Sequence, residues 1–300
     1  MTQLIKATRI FSAALPSAEA MRGHLANEAF AEPGSLALAS YGFVPMEQGT
    51  FVTEFPGGFA FRFRFAQKVI PASVIKQAVA DAVREVEDET GRKPGKKEKA
   101  EIKEGIIGEM AAKAFVRTTD VICYFRAATN HLLVPTLSKV IGDKLMTKLV
   151  FAVESLKTET IHVSSVTQGL TARLKKWLDE GDDDAFGAFY PVNEVDLEQE
   201  ERSVRVKMTG LQQAHKALTT SLNQGFSVNA IGLSLEGDEF KLTHDFKLRA
   251  INLADPEQGE QREEEPMFEA QAGIEVDRIG LIVDQLAEMF AYKEDEEVVA

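Results

Sequence analysis

Residues able to do covalent or metal chemistry are few and scattered along this 300-residue chain. Cys123 is the single cysteine, so no internal disulfide can form and no thiolate metal site can be built from one sulfur. The five histidines, His24, His131, His162, His215 and His244, show none of the close spacings of a metal-binding helix or turn. No GxxxxGK[ST] phosphate loop, GxGxxG turn, HExxH helix or G-x-S-x-G elbow occurs. One short pattern remains. Glu239-Phe240-Lys241 sets a carboxylate and an ammonium on one side of an alternating segment, the element with which metal-dependent nucleases align water beside a Mg²⁺-bound phosphate. Acid–apolar–base triplets are also common on half-exposed strands. The expectation is a chain with no catalytic residue, no metal ligands and no cofactor, with a metal-dependent nuclease as a minor alternative.

A denser signal lies between Arg92 and Arg117. There Arg92, Lys93, Lys96, Lys97, Lys99, Lys103, Lys113 and Arg117 stand against Glu98, Glu101, Glu104 and Glu109. At about 100° per residue, Lys96, Lys99 and Lys103 fall within about 60° of one another on one helix face. Lys76 projects from the polar side of the preceding helix. Mobile point charges without interleaved aromatics suit phosphate contact and counterion release, not base readout or single-strand stacking. The same run also fits a solvated surface laced with i,i+4 ion pairs, and spacing alone leaves both readings open.

These side chains need elements to hold them. Gly58 to Ala66 reads GFAFRFRFA, a period-two strand with Phe59, Phe61, Phe63 and Phe65 on one face and Arg62 and Arg64 on the other. Shorter strands are predicted near Ile5–Ala14 and Ser40–Glu54, with a helix between them that turns Met21, Leu25 and Ala26 inward. A helical hairpin follows, with Ser73 as a candidate N-cap. Its first helix turns Val74, Ile75, Ala78, Val79, Ala82, Val83 and Val86 inward, and Thr90-Gly91-Arg92-Lys93-Pro94-Gly95 breaks it. Its second helix turns Ile102, Ile106, Ile107, Met110 and Ala114 inward and ends near Phe115-Val116-Arg117. By pattern Phe115 reads as a core residue at a helix end; the alternative is an apolar anchor for a partner subunit.

Strands are predicted again at Val121–Arg126 and His131–Val134, and helices at Thr136–Lys148 and Ser165–Asp179, the second with Leu170, Leu174 and Trp177 inward. Asp182-Asp183-Asp184 suggests a boundary. Beyond it Val204, Val206 and Met208 alternate with Ser203, Arg205 and Lys207, and Phe240, Leu242, Phe246 and Leu248 with Lys241, Thr243, Lys247 and Arg249. Asp255–Glu265 reads as an acidic loop. A closing helix buries Ile279, Ile282, Val283, Leu286 and Phe290, before an acidic tail at Glu294–Ala300. Grouped rather than alternating strands and helices point to an α+β fold with mainly antiparallel sheets. The division expected is a central region (1–70 and 118–180), a helical tip (71–117) and a base (181–300).

The formal charge of −13 is unevenly spread. Residues 1–176 hold 24 Lys and Arg against 18 Asp and Glu, a balance of +6; residues 177–300 hold 10 against 29, a balance of −19. A phosphate backbone responds to the field within about 10 Å at moderate salt, so one end can attract DNA while the other repels it. An acidic DNA mimic that binds a recombinase directly is a second reading of the same asymmetry. No run of 18 apolar residues occurs and the N-terminus lacks a signal-peptide pattern, so no membrane association and a reducing cytoplasmic setting are expected.

Three segments carry a resemblance. Val69-Ile70-Pro71-Ala72-Ser73-Val74-Ile75-Lys76-Gln77-Ala78, the exit Ala114-Phe115-Val116-Arg117 and the short Gly42-Phe43-Val44-Pro45 are similar to the RdgC family of recombination-associated DNA-binding proteins. The order of elements agrees over nearly the whole chain, most specifically from Ile70 to Arg117. The resemblance implies a horseshoe-shaped protomer with a protruding helical hairpin. Two such protomers close into a ring dimer around double-stranded DNA, bind it without sequence preference and limit RecA-driven strand exchange in the nucleoid. It places Phe115 at the tip-to-tip dimer contact and Lys76 and the hairpin cations near the lumen. Relatives carry two adjacent basic residues on the strand of Lys207; here the second position is Met208.

Overall fold

Burial of Phe59, Phe61, Phe63 and Phe65 organises the first half of the chain. In a computed structural model, which describes residues 3–47, 49–153, 158–160, 166–181, 183–208, 211–254 and 267–290, the chain folds as α+β around two antiparallel sheets. In chain order the first elements are β1 (Arg9–Ala13), α1 (Ala18–Asn27), β2 (Ala39–Val44), β3 (Val52–Phe55), β4 (Gly58–Val69), α2 (Ala72–Thr90), α3 (Lys96–Lys113), β5 (Phe115–Arg126), β6 (His131–Val134), α4 (Lys139–Val153) and β7 (Thr158–Thr160). The first sheet has the order β2-β4-β5-β6-β1-β7, with β3 also paired to β4. Its phenylalanine face is covered by Met21 and Leu25 of α1 and by Leu145, Met146 and Leu149 of α4. Tight pairing of β4 with β5 requires Gly58, since a Cβ there would sit 1.8 Å from the Phe125 carbonyl oxygen.

The second half supplies α5 (Val166–Glu180), a short 3-10 turn at Asp183–Phe186, β8 (Tyr190–Gln199), β9 (Arg202–Lys207), α6 (Leu211–Asn223), β10 (Ser227–Leu235), β11 (Asp238–Thr243), β12 (Leu248–Asn252) and α7 (Phe268–Met289). Its sheet has the order β12-β11-β10-β8-β9. Val276, Ile279, Ile282, Val283 and Leu286 of α7 join a core that also takes in Ile10, Ala60, Tyr124 and Leu133 from the opposite face of the first sheet.

The N-terminal segment stitches the halves together. Thr8 and Leu248 exchange backbone hydrogen bonds of 2.8 and 3.0 Å. The buried Glu275 carboxylate accepts from the backbone N–H of Leu4 and Ile5, both at 2.9 Å, and from Gln271 Nε2 at 2.9 Å. Removing that acceptor strands buried donors. Glu275→Leu is expected to destabilise the fold by about 2–4 kcal/mol, read as a lower midpoint in denaturant at unchanged slope.

Several expectations are corrected. Pro71 rather than Ser73 holds the N-cap position of α2, because its fixed φ leads straight into a helix starting at Ala72. Val74 is exposed, as is Ala26. No residue of α2 is buried, and of α3 only Ala111, because these two helices pack mainly on each other. β5 starts at Phe115 rather than Val121, and Phe115 is 88% exposed, which overturns the core reading. Helix α4 spans Lys139–Val153 instead of starting at Thr136. Lys241 and Thr243 are buried rather than solvent-facing. His162, Asp182, the segment 255–265 and the tail 294–300 lie outside the described residues.

Candidate nucleic-acid interface

Pro71 and the left-handed Gly91 (φ 68°) bound α2, and Gly95 opens α3, where the Glu98 carboxylate accepts from the Gly95 N–H at 3.3 Å. The lysine face is built on that frame. Lys76, Lys93, Lys96, Lys99, Lys103, Lys113 and Arg117 are all exposed and form no ion pair among the described residues. Two expected cations are engaged. Arg92 donates to Glu98 at 2.9 Å, which holds that carboxyl below its ordinary value, and Lys97 lies 3.8 Å from Glu101. β4 leads into α2, and α3 leads into β5, so one β-αα-β unit carries these groups together with Arg62 and Arg64.

On the sheet, the period of two puts Arg62, Arg64 and Lys68 on one face with Ile122, Asp120 and Val116 opposite them on β5. Arg62 is half-buried and lines a cavity of about 270 Å³ with Met46, Thr53, Ile122 and Phe268. Arg64 grips Asp120 through two hydrogen bonds of 2.7 Å and lies over the Phe30 ring. Lys68 is turned away from solvent and donates to the carbonyls of Gly34 at 2.7 Å and Ser35 at 2.6 Å. Lys207 is exposed on β9, an edge of the other sheet, and Met208 beside it is half-buried.

The hydrogen bond from Arg64 lowers the Asp120 pKa, against the opposing push of burial. A carboxyl whose folded value lies below its unfolded value (about 3.9 for Asp) stabilises the fold above the unfolded value. That contribution is lost as pH falls through the folded value. Thermal unfolding of Asp120→Asn is therefore expected to show a lower midpoint than the parent chain at pH 7, with the gap closing below about pH 4.

Phe115 opposes Val69 at the root of the helical pair. Val69 is about half exposed, as is Val74 in the first turn of α2, and Val116, on the other face of β5, is 41% exposed. Phe115 and Val69 are thus an exposed apolar pair on one face of the sheet end.

Glu239 and Lys241 each have other partners in the structure. Lys241 faces Gly232 across the β10–β11 ladder, and with no side chain there it reaches Glu194 and Asp196 on β8, both at 2.6 Å. Arg205 of β9 binds the same Asp196 at 2.6 Å, and burial of Asp196 is outweighed by these bonds, so its pKa lies below the ordinary value. Glu239 accepts from Asn193 Nδ2 at 3.0 Å. Among the described residues no three His, Cys, Asp or Glu side chains are placed to hold a metal ion, and no helix is long and apolar enough to cross a membrane.

Fold and surface together define an α+β protein whose helical pair presents lysines without ion-pair partners among the described residues, with an exposed phenylalanine at its root. The family model described as "Putative exonuclease, RdgC" matches residues 4–293, and the chain belongs to the RdgC family. It is 28% identical over 245 residues to the recombination-associated protein RdgC of Neisseria meningitidis serogroup C (strain 053442), covering 80% of each chain. It is 28% identical over 167 residues to the protein of that name from Paraburkholderia phymatum, covering 55% of this chain and 54% of the relative. For Janthinobacterium sp. (strain Marseille) the figure is 29% over 163 residues, covering 54% and 53%.

Proposed function

We propose that two copies of this chain close into a ring around duplex DNA, bind it without reading its sequence and so limit RecA-type strand exchange in the nucleoid. In this reading 71–117 is the tip, 1–70 and 118–180 the centre and 181–300 the base, and each protomer is a horseshoe. One observation carries it: the helical pair 72–113 holds exposed lysines with no carboxylate partner, and at its root stands a phenylalanine 88% exposed. Uncompensated lysines favour phosphates, and a bare aromatic favours a protein partner. A two-fold assembly supplies that partner from the same surface. The −19 balance of residues 177–300 then faces solvent outside the lumen. Lys241, neutralised by Glu194 and Asp196, fits a structural part and a non-enzymatic chain.

Binding of labelled duplexes of unrelated sequence, and of single strands, across a salt series tests this. The expected result is a steep linear fall of log affinity with log salt, alike for all duplexes, with the DNA intact after incubation in Mg²⁺. Binding confined to one sequence would overturn the reading, as would cleavage abolished by Glu239→Gln.

A further inference from the structure

The face of the first sheet that meets α7 is not packed shut. Where the first turn of α7 comes down on β3, β4 and β5, a cavity of about 270 Å³ opens between Met46, Thr53, Arg62, Ile122 and Phe268. Register explains why these groups converge. Thr53 opposes Ala60 across the β3–β4 ladder, and Ile122 opposes Arg62 across the β4–β5 ladder, so all four side chains lie on one face. Phe268 fixes the start of α7 above them, its ring 6.3 Å from that of Tyr124. Two polar groups in this cavity are left over. Thr53 is 8% exposed, and its hydroxyl has no hydrogen-bond partner among the described residues. Arg62, diagonal to it, is half-buried and forms neither a hydrogen bond nor an ion pair among them. Asp120 feels the charge of Arg62, yet both of its oxygens are held by Arg64. Glu47 and Glu269 also border the cavity; Glu47 is exposed, and Glu269 has an interaction of its own.

We propose that this cavity binds a small apolar carboxylate, whose oxygens Arg62 and Thr53 hold and whose hydrocarbon body Met46, Ile122 and Phe268 enclose. A buried hydroxyl and a guanidinium without protein acceptors are costly unless something brings oxygens to them. The planar guanidinium fork matches the two oxygens of a carboxylate. The N-cap of α7 is Met267, which has no oxygen with which to cap, so the positive end of this 22-residue helix adds to the same field. One arginine and one hydroxyl beside two carboxylates suit a single negative charge. A phosphate monoester brings about −1.5 to −2 and leaves apolar walls uncovered. The volume lies just under the usual span of ligand sites, about 300–1,000 Å³, which limits the ligand to a small one. A free acid and the C-terminal residue of a peptide offer the same chemistry. The site is separate from the lysine face of α3 and rests on the fold alone.

The test uses the full chain labelled with carbon-13 in its methionine methyl groups, of which those of Met46 and Met267 report on the cavity. The probes are 3-phenylpropanoate, its uncharged amide, N-acetylglycylphenylalanine and inorganic phosphate. Saturable movement of the Met46 and Met267 signals is expected with 3-phenylpropanoate or with the acetylated dipeptide, and the tighter of these two names the source. The amide and phosphate should bind about tenfold more weakly or worse. Arg62→Met, which keeps the stem and loses the fork, should weaken the carboxylate about tenfold or more, and Thr53→Val about three- to tenfold, at unchanged unfolding midpoints. Should a variant lower the midpoint, the comparison of acid with amide on the parent chain decides. If the amide or phosphate binds as tightly as the acid, if Arg62→Met leaves the affinity unaltered, or if neither methionine signal moves, the proposal is overturned. If Arg62→Met costs as much duplex affinity as Lys96→Glu, Arg62 contacts a DNA phosphate and the proposal is also overturned.

Discussion

Replacing Lys96, Lys99 and Lys103 together by Glu is expected to weaken duplex binding at least a hundredfold at roughly physiological salt and to flatten its salt dependence. The three side chains share one face of α3, all are exposed, and none has an ion-pair partner among the described residues. Each phosphate neutralised contributes about 0.9 to the slope of log affinity against log salt, so loss of three contacts should lower that slope by about 2.7. Reversal also places carboxylates against phosphates, which adds repulsion to the lost attraction. The fold should not suffer, because α3 packs mainly on α2 through its other side. Reversing Lys175 on α5 and Lys216 on α6 serves as the control, and there little change is expected. Equal losses from both sets would mean that total charge, not the helical pair, governs binding.

The second large effect concerns Phe115. Phe115→Ala should leave the thermal stability of the protomer close to that of the parent, since a side chain 88% exposed contributes little to its own core. Its effect should fall on the tip contact. Truncating an aromatic anchor in a partner's pocket costs about 2–4 kcal/mol, which corresponds to a contact weakened roughly 30- to 1000-fold. Overall dimerisation should change less, because the ring reading gives each protomer a second contact at its base. Sedimentation velocity reads the mass, and competitor-chased release from circular DNA reads the closure. An unaltered release rate would remove Phe115 from the contact.

Much of this architecture was legible because it rests on local periodicity. The Phe/Arg alternation of β4 is written directly into residues 59–65, and the helical spacing of α2, α3 and α7 reads nearly as clearly. What escaped depends on register and long-range pairing. Nothing local to Arg64 says that Asp120, 56 residues away, will take both of its hydrogen bonds. Lys68, two positions beyond the alternating run Gly58–Ala66, falls on the same sheet face as Arg62 and Arg64. Its capture by Gly34 and Ser35 carbonyls needed the loop to fold back. Lys241 misled in the same way: alternation put it outside, but a glycine on the neighbouring strand let it reach two carboxylates beyond. Phe115 looked like core because it follows an amphipathic helix. The chain turns into a strand at that residue and the ring stays bare. The lysine run could not be assigned from spacing, since whether a charge is paired depends on rotamers and neighbours; most of it proves unpaired, with Arg92 and Lys97 engaged.

The idea that a closed dimer threads DNA through itself is tested most directly by topology. Protein loaded on closed circular duplex at low salt is moved to high salt with competitor, and half of each sample is cut once with a restriction enzyme. Retention on intact circles and prompt loss from the cut ones is the predicted result. Equal loss from circle and line would show that the chain holds DNA by surface contact alone and would contradict encirclement.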